Sequence, residues 1–234
     1  MIKLLISDLD DTLYDWTGFF VPAFYAMADE IARMTGIDEK KLLNEYMAAH
    51  QRLGSVEYPY ATLELPSIKA YYNNAPAEEL KAALRPAFNV FNSVRESHLH
   101  LLPGVEEMLR ALTEMGVTLI AYTESSKENG FYRLMKLGIE PYFKHVYTFE
   151  SQFKSAYAVS EKVRTVQTKK PDVAVIERIC TGEGYDKSEV MYLGDNLTKD
   201  MYMAKMAGVT AVWMHRKCEN EDYKNKLLAI TSWT

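Results

Sequence analysis

Three carboxylates stand directly behind the first apolar segment of the sequence, residues 2–6, in the stretch DLDD. Asp8, Asp10 and Asp11 repel one another and are costly to bury unless a cation or hydrogen-bond donors compensate their charge. Asp8 and Asp10 are two residues apart, so both side chains point the same way in an extended chain and can share one ion. The cluster therefore predicts a metal site or a reaction centre.

Polar side chains that suit phosphate chemistry lie near the ends of the later apolar segments. They are Thr123, Lys169, Lys170, Asp195 and Asp200. Because ligands of parallel sheets bind at the carboxyl ends of the strands, we expect these groups to lie beside Asp8 and Asp10. Carboxylates bind Mg²⁺, a lysine and a hydroxyl hold phosphoryl oxygens, and a carboxylate can attack phosphorus to form an aspartyl-phosphate.

The elements that must position these groups are strands alternating with helices. Five apolar, β-branched segments read as strands: residues 2–6, 117–122, 145–149, 190–193 and 210–214. Helical or loop sequence separates them, including a crossover helix that begins at Pro103-Gly104 and ends at Gly116. This alternation predicts an α/β fold, a doubly wound parallel sheet wrapped by helices.

A long insertion separates the first predicted strand from the others. Apolar residues repeat at helical spacing over residues 20–34, and further helices are expected at 39–50 and 76–91. We therefore predict a core domain of residues 1–14 and 101–234 and an all-helical domain of residues 15–100.

Composition limits the kinds of partner. The net charge of −5 and the pI near 5.6 argue against nonspecific binding to nucleic acid or to an anionic membrane, and favour a small-molecule partner. Two cysteines, Cys180 and Cys218, are too few for a disulfide scaffold, and no apolar run is long enough to span a membrane. We expect a cytoplasmic protein, and the oligomeric state stays open.

Four motifs in order make the chain resemble one known family. The order DLDDT, a strand ending in threonine, Lys-Pro-Asp and GDxxxxD resembles the haloacid dehalogenase superfamily over nearly the whole chain. The resemblance implies a Rossmann-like core with a helical type 1 cap. It also implies that Asp8 is the nucleophile and Asp10 the general acid and then base. The phosphate ligands would be Thr123 and Lys170. The metal ligands would be Asp8, Asp195 and, through its backbone carbonyl, Asp10. Asp200 would be either a further ligand or a support.

The second acid of the first motif decides the expected reaction. Dehalogenase and phosphonatase members lack an acid at the Asp10 position, whereas phosphatases and phosphomutases carry it. The resemblance thus implies a Mg²⁺-dependent phosphoric monoester hydrolase that acts on a sugar phosphate or nucleotide through an aspartyl-phosphate. A phosphomutase and a noncatalytic phospho-switch protein remain as alternatives.

Three features depart from the family pattern or leave a choice open. Glu124 follows Thr123 where the family commonly has Asn, so either its carboxylate points away or phosphate binding is weakened. Lys170 is favoured over Lys169 because it directly precedes Pro171. The stretch 150–170 is long, and helical spacing of its apolar residues predicts an additional amphipathic helix.

Overall fold

The computed structural model describes residues 1–58, 60–150, 160–215 and 220–231. These residues form two compact units. One comprises the described residues of 1–15 and 100–217, and the other those of 16–99 and 218–234. Every strand in the described ranges lies in the first unit, which we call the α/β unit, and the second is the helical unit.

The α/β unit is built on a six-stranded parallel sheet in the order β4-β3-β2-β1-β5-β6. Its strands are β1 Leu4–Ser7, β2 Thr118–Ser126, β3 His145–Phe149, β4 Val163–Val166, β5 Val190–Gly194 and β6 Thr210–Trp213. The predicted α/β fold and its five strand segments are confirmed. Because β1 lies between β2 and β5, the loops that follow these three strands begin side by side.

The fourth strand corrects one prediction. Residues 163–166 were expected in an amphipathic helix, but they pair with β3, with Val163 opposite Val146. Val163, Thr165 and Val166 are β-branched, which favours extended backbone at a sheet edge over a helix. Residues 151–159 of the predicted helix lie outside the described residues, as does Cys218.

The helices follow in chain order. They are α1 Trp16–Thr35, α2 Glu39–Leu53, α3 Pro66–Tyr71, α4 Ala77–Ala83, α5 Arg85–His98, α6 Val105–Glu114, α7 Lys127–Lys136, α8 Val173–Glu183, α9 Tyr202–Ala207 and α10 Glu221–Thr231. The predicted crossover helix is α6. None of the described helices has the length and apolar character needed to cross a bilayer.

Alternate residues of the central strands form the main core of the α/β unit. Leu4 and Ile6 of β1 are fully buried against Ile176 of α8 and Met203 of α9, together with the alternate positions of β2 and β5. The strand period of two therefore turns one set of apolar residues toward these helices. This packing holds the strand ends, where the polar residues lie, in a defined register.

The helical unit contains the predicted insertion, with one helix divided. Residues 76–91 were expected as one stretch, but α4 ends at Ala83 and α5 begins at Arg85. Pro86 has no N–H to donate to the carbonyl four residues earlier, and its ring would clash with that carbonyl, so a continuous helix is broken there. The buried face of α1 includes Phe20, Phe24 and Ile31, as the spacing predicted.

The C-terminal helix belongs to the helical unit, which differs from the predicted domain boundary. The prediction assigned residues 101–234 to the core, yet α10 packs with α1 and α2. Tyr25 donates a hydrogen bond to the Lys226 carbonyl at 2.9 Å, and Nδ1 of His50 lies 3.0 Å from the carbonyl of the fully buried Ile230. These contacts are made by residues far apart in sequence, so no local pattern indicates them.

Candidate active site

A polar cleft lies at the carboxyl ends of β1, β2 and β5. The backbone N–H of Asp8 donates to the Leu193 carbonyl at 2.8 Å, which joins the end of β1 to the end of β5. The cleft is lined by Asp8, Asp10, Glu124, Lys170, Asp195, Asn196, Lys199 and Asp200. The lining residues come from three of the four predicted motifs, together with Glu124, which follows the threonine of the remaining one, while Thr123 itself is buried and does not line the cleft.

Asp8 is buried and is held at both carboxylate oxygens. Lys170 donates to Oδ1 of Asp8 and, at 2.9 Å, to Oδ1 of Asp200. Thr12 donates to Oδ2 of Asp8 at 3.1 Å. One lysine therefore bridges the first and the last motif, and its amine reaches the predicted nucleophile directly. Lys169, the alternative, is exposed, with its amine 5.6 Å from the ring centre of Phe149.

The Lys170 ammonium lies between two aromatic rings and two carboxylates. Its Nζ is 4.9 Å from the ring centre of Tyr122 and 5.6 Å from that of Tyr192. Burial by itself lowers the pKa of Lys170, but the negative groups around it, foremost Asp8, outweigh burial and hold that pKa well above its usual range. Burial also raises the pKa of Asp8, and Lys170 opposes that rise. The lysine therefore keeps its proton and favours the ionised form of Asp8.

Asp200 is placed by a π-helical turn, Leu197–Met201. Its Oδ2 accepts from the Asn196 N–H at 3.1 Å, and its Oδ1 accepts from the Tyr192 hydroxyl at 2.9 Å. A Cβ on Gly194 would lie 2.5 Å from Cγ of Asp200, so only glycine lets this carboxylate pack against the end of β5. The glycine of the GDNLTKD motif is therefore a packing requirement of the site.

Asp8, Asp195 and Asp200 form a group that could hold a metal ion. One carboxylate oxygen from each lies within 4.8 Å of the others. The three carboxylates lie bonded to or beside a single ammonium, that of Lys170, so two formal negative charges remain. This net charge suits a divalent cation with oxygen ligands. Burial, together with the charges of Asp200 and Asp11, raises the pKa of Asp195 to about 6. The donor set and its charge therefore fit a metal ion.

Asp10 directs its carboxylate to a separate set of donors. Oδ1 accepts from the Tyr14 hydroxyl and from Nη1 of Arg133, both at 2.8 Å. Oδ2 accepts from the hydroxyls of Thr123 at 3.1 Å and Ser125 at 2.9 Å. We call these four residues the Asp10 cage. The carboxylate of Asp10 is thus satisfied without a metal ion, and its predicted backbone contact to the metal stays a prediction.

Thr123 belongs to this cage, where the sequence predicted a phosphate contact. Its side chain is fully buried, and its hydroxyl also accepts from the Ser125 N–H at 3.0 Å. The pairing of β2 with β3 is irregular between Tyr122 and Ser126, so β2 runs past the predicted end of the strand. The prediction of Thr123 as a phosphate ligand remains open, because its hydroxyl is directed to Asp10.

Three members of the cage were missed by sequence reasoning. Ser125 is two residues beyond Thr123 in an extended segment, a spacing that turns both side chains to one side, and this signal was available. Tyr14 follows Asp10 by four residues without a recognisable motif. Arg133 lies in α7 and is 3% exposed, but an arginine in a helix is usually solvated, so only packing identifies it.

The structure decides one question that the sequence left open, namely whether the Glu124 carboxylate points away from the site. Its carboxylate does not point away, since it lines the cleft. Oε2 of Glu124 lies 2.5 Å from Nζ of Lys199, with which it forms an ion pair. The carboxylate at the family's usual Asn position is therefore neutralised by a cation from the last motif.

Comparisons with known proteins bear on the family of this chain. The family model of haloacid dehalogenase-like hydrolases matches residues 2–208. A glyceraldehyde 3-phosphate phosphatase from Pyrococcus abyssi is 27% identical over 224 residues, covering 91% of this chain and 81% of its own. A phosphoserine phosphatase from Thermus thermophilus is 24% identical over 246 residues, covering 94% and 92%.

A solved structure shares the fold. The 2-haloacid dehalogenase from Pseudomonas syringae pv. Tomato DC3000 superposes with a TM-score of 0.62 and 22% identity, covering 100% of both chains. At this identity the likeness bears on the fold alone. The family model matches most of the chain, and its family is the one that the four motifs predicted. The chain belongs to the haloacid dehalogenase-like hydrolases.

Proposed function

We propose that the protein is a Mg²⁺-dependent phosphatase that hydrolyses a small phosphate monoester, of the sugar phosphate or nucleotide class, through an aspartyl-phosphate on Asp8. The observation that carries the proposal is the buried Asp8, bonded to Lys170 beside Asp195 and Asp200. The names of the curated relatives, which are phosphatases of small phosphate esters, support the same class.

The first half of the reaction transfers the phosphoryl group to Asp8. A carboxylate oxygen of Asp8 forms a bond to phosphorus while the bond from phosphorus to the leaving oxygen breaks. Lys170 holds the carboxylate in place and offers its ammonium to a phosphoryl oxygen. Mg²⁺, held by Asp8, Asp195 and Asp200, would supply positive charge against the anionic substrate. Asp10 gives its proton to the leaving alcohol.

The second half returns Asp8 to its starting state. Asp10, now ionised, takes a proton from water, and the water oxygen attacks phosphorus as the bond to Asp8 breaks. The products are inorganic phosphate and the free carboxylate. The Asp10 cage suits this step, because four donors hold the ionised carboxylate in one orientation.

The helical unit is proposed as the cap that restricts the substrate. Tyr14 pairs with Leu101 in an antiparallel bridge, so the chain leaves and re-enters the α/β unit side by side, four residues beyond Asp10. A lid rooted at that point would exclude water and admit only a substrate that fits the closed chamber. Small, soluble monoesters should then be turned over far better than a folded phosphoprotein.

A panel of phosphate monoesters assayed for phosphate release tests the proposal. We expect release with Mg²⁺ and none after exhaustive chelation. Calcium should inhibit, since its looser coordination lets Asp8 bind the ion with both oxygens. Acid quenching should trap the phosphoryl group on Asp8. Isomer formation without phosphate release would instead identify a phosphomutase, and stable phosphorylation without turnover a phospho-switch.

The cap proposal needs its own comparison. The ratio kcat/KM should be measured for sugar phosphates and nucleotides, and for a folded protein that carries phosphoserine in an ordered loop. Equal efficiency for the protein and the best metabolite would mean that the site is open, and would contradict the cap as the specificity element.

A further inference from the structure

The Glu124–Lys199 ion pair adds two opposite charges to the lining of the cleft. The Lys199 and Glu124 side chains are 40% and 26% exposed, whereas the Lys170 side chain is 2% exposed. Lys170 is already shared between Asp8 and Asp200. The pair thus lies on the more accessible part of the cleft, where an incoming substrate meets it.

Both partners are anchored by backbone that also positions the reacting groups. The Lys199 N–H donates to the Asn196 side chain at 3.0 Å, within the turn that places Asp200. Glu124 lies between Thr123 and Ser125, and the hydroxyls of both donate to Asp10. The backbone of both residues is therefore held in place relative to the reacting groups.

A carboxylate at this position creates an electrostatic problem that the pair solves. Phosphate monoesters are anions at neutral pH, and an uncompensated Glu124 would repel them as they approach Asp8 and Lys170. The ammonium of Lys199, in contact with Oε2, cancels that charge and presents its remaining donors to the cleft. The function of the pair depends on this balance.

We propose that Lys199 is a further phosphate-binding residue of this site. Its ammonium cancels the charge of Glu124, and the Glu124 carboxylate in turn positions that ammonium. The inference rests on the proposed function, because its ligand is the phosphoryl group of the same substrate. The family commonly has a neutral amide at the Glu124 position. In this chain the Glu124–Lys199 ion pair, which is also neutral overall, stands in its place.

A double-mutant cycle on phosphate binding tests the pair without relying on turnover. Inorganic phosphate with Mg²⁺ is the probe, and isothermal titration calorimetry gives its dissociation constant. Lys199→Met should weaken binding about 10-fold or more, because it removes a cation and exposes an uncompensated carboxylate. Glu124→Gln should leave binding within about threefold, since the cation remains. Combining both changes should recover only the part of the loss that comes from the uncompensated carboxylate, because the cation is still missing.

Further arms separate charge from structure. Lys199→Arg should keep binding within about threefold, since the cation remains. Lys205→Met removes an exposed lysine of α9 and should have no effect. The loss in Lys199→Met should shrink in high salt, because the pair is partly exposed. In assays of turnover, Lys199→Met should raise KM more than it lowers kcat.

The outcomes distinguish this inference from the proposed function. Phosphate binding by the wild-type protein with no change in Lys199→Met overturns the role of Lys199. A double variant that binds as weakly as Lys199→Met overturns the compensation of Glu124. A wild-type protein that binds no phosphate overturns this inference alone, because phosphate release from the monoester panel decides the proposed function separately.

Discussion

Asp8 and Asp10 lie two residues apart on the same loop, yet they occupy opposite kinds of surroundings. Asp8 shares its lysine with Asp200 and adjoins Asp195, so its region carries more negative than positive charge. Asp10 has an arginine of its own and three hydroxyl donors. The excess negative charge around Asp8 could therefore be offset by a cation, whereas the carboxylate of Asp10 already has four donors.

The difference is consistent with the two roles proposed for this short motif. The partner of Asp8 comes from 162 residues away and the arginine partner of Asp10 from 123 residues away. The lysine is a compact charge that can pass from a carboxylate to a phosphoryl oxygen, while the arginine is held in a fixed geometry. The first arrangement suits the nucleophile proposed at Asp8, and the second suits the proton carrier proposed at Asp10.

The sharpest way to break the comparison is Asp8→Asn. The amide has nearly the same shape but cannot form an acyl-phosphate, so phosphate release from p-nitrophenyl phosphate should fall about 1,000-fold or more. Thermal unfolding should show an intact fold, and Asp29→Asn, on an exposed position of α1, is the control. Activity above about a tenth of wild type would remove Asp8 from the nucleophile role.

The next largest effect is expected from Lys170→Met. Without the ammonium, the pKa of the buried Asp8 rises further, so less of it is ionised and able to attack. We expect a loss of kcat/KM of about 100-fold or more. Lys169→Met is the matched control, since the neighbouring side chain is exposed and should leave kcat/KM nearly unchanged. Equal losses in both variants would contradict the choice of Lys170.

Arg133 sharpens the other half of the comparison. If it positions Asp10, Arg133→Met should lower kcat/KM about 10-fold to 100-fold for an alkyl phosphate, whose leaving group needs a proton. The loss should be clearly smaller for p-nitrophenyl phosphate, whose leaving group departs without a proton. Because kcat/KM reports transfer to Asp8, the later hydrolysis does not confuse the result.

Two variants complete the Arg133 test. Arg133→Lys keeps the charge and should recover part of the activity on the alkyl phosphate, while Arg110→Met, on an exposed position of α6, should change neither substrate. A loss that is equal for both substrates would mean that Arg133 supports the fold rather than the proton transfer.

The smallest expected effect concerns Asp195 and pH. Burial raises the pKa of Asp195 to about 6, so the folded protein binds this proton more tightly than the unfolded chain, where an aspartate titrates near about 4. In the metal-free protein the stability contributed by this group therefore falls as pH rises from about 4 to about 6. Asp195→Asn should raise Tm by a few °C at pH 8 and by about half as much at pH 5, which is the middle of this range. An equal shift at both pH values would contradict this account.

For the fold, the sequence predicted the elements that local periodicity specifies. The five strands and the helical insertion were predicted because apolar residues repeat at periods that distinguish strand from helix. Strand β4 was missed because Val163 and Val166 are three residues apart and fit a helical period as well. The break before α5 depends on Pro86, and the place of α10 depends on contacts with Tyr25 and His50.

For the site, the sequence alone determined which residues meet at the strand ends, because parallel strands carry the acids of separate motifs to one edge of the sheet. Asp8, Lys170 and Asp200 lie together for that reason. Only the tertiary structure decided the partners. The carboxylate of Asp10 is bound to Arg133, and that of Glu124 to Lys199. A charged residue on a helix or turn gives the same sequence signal whether its side chain is solvated or paired with a carboxylate. Only the packing of the folded chain distinguishes the two cases.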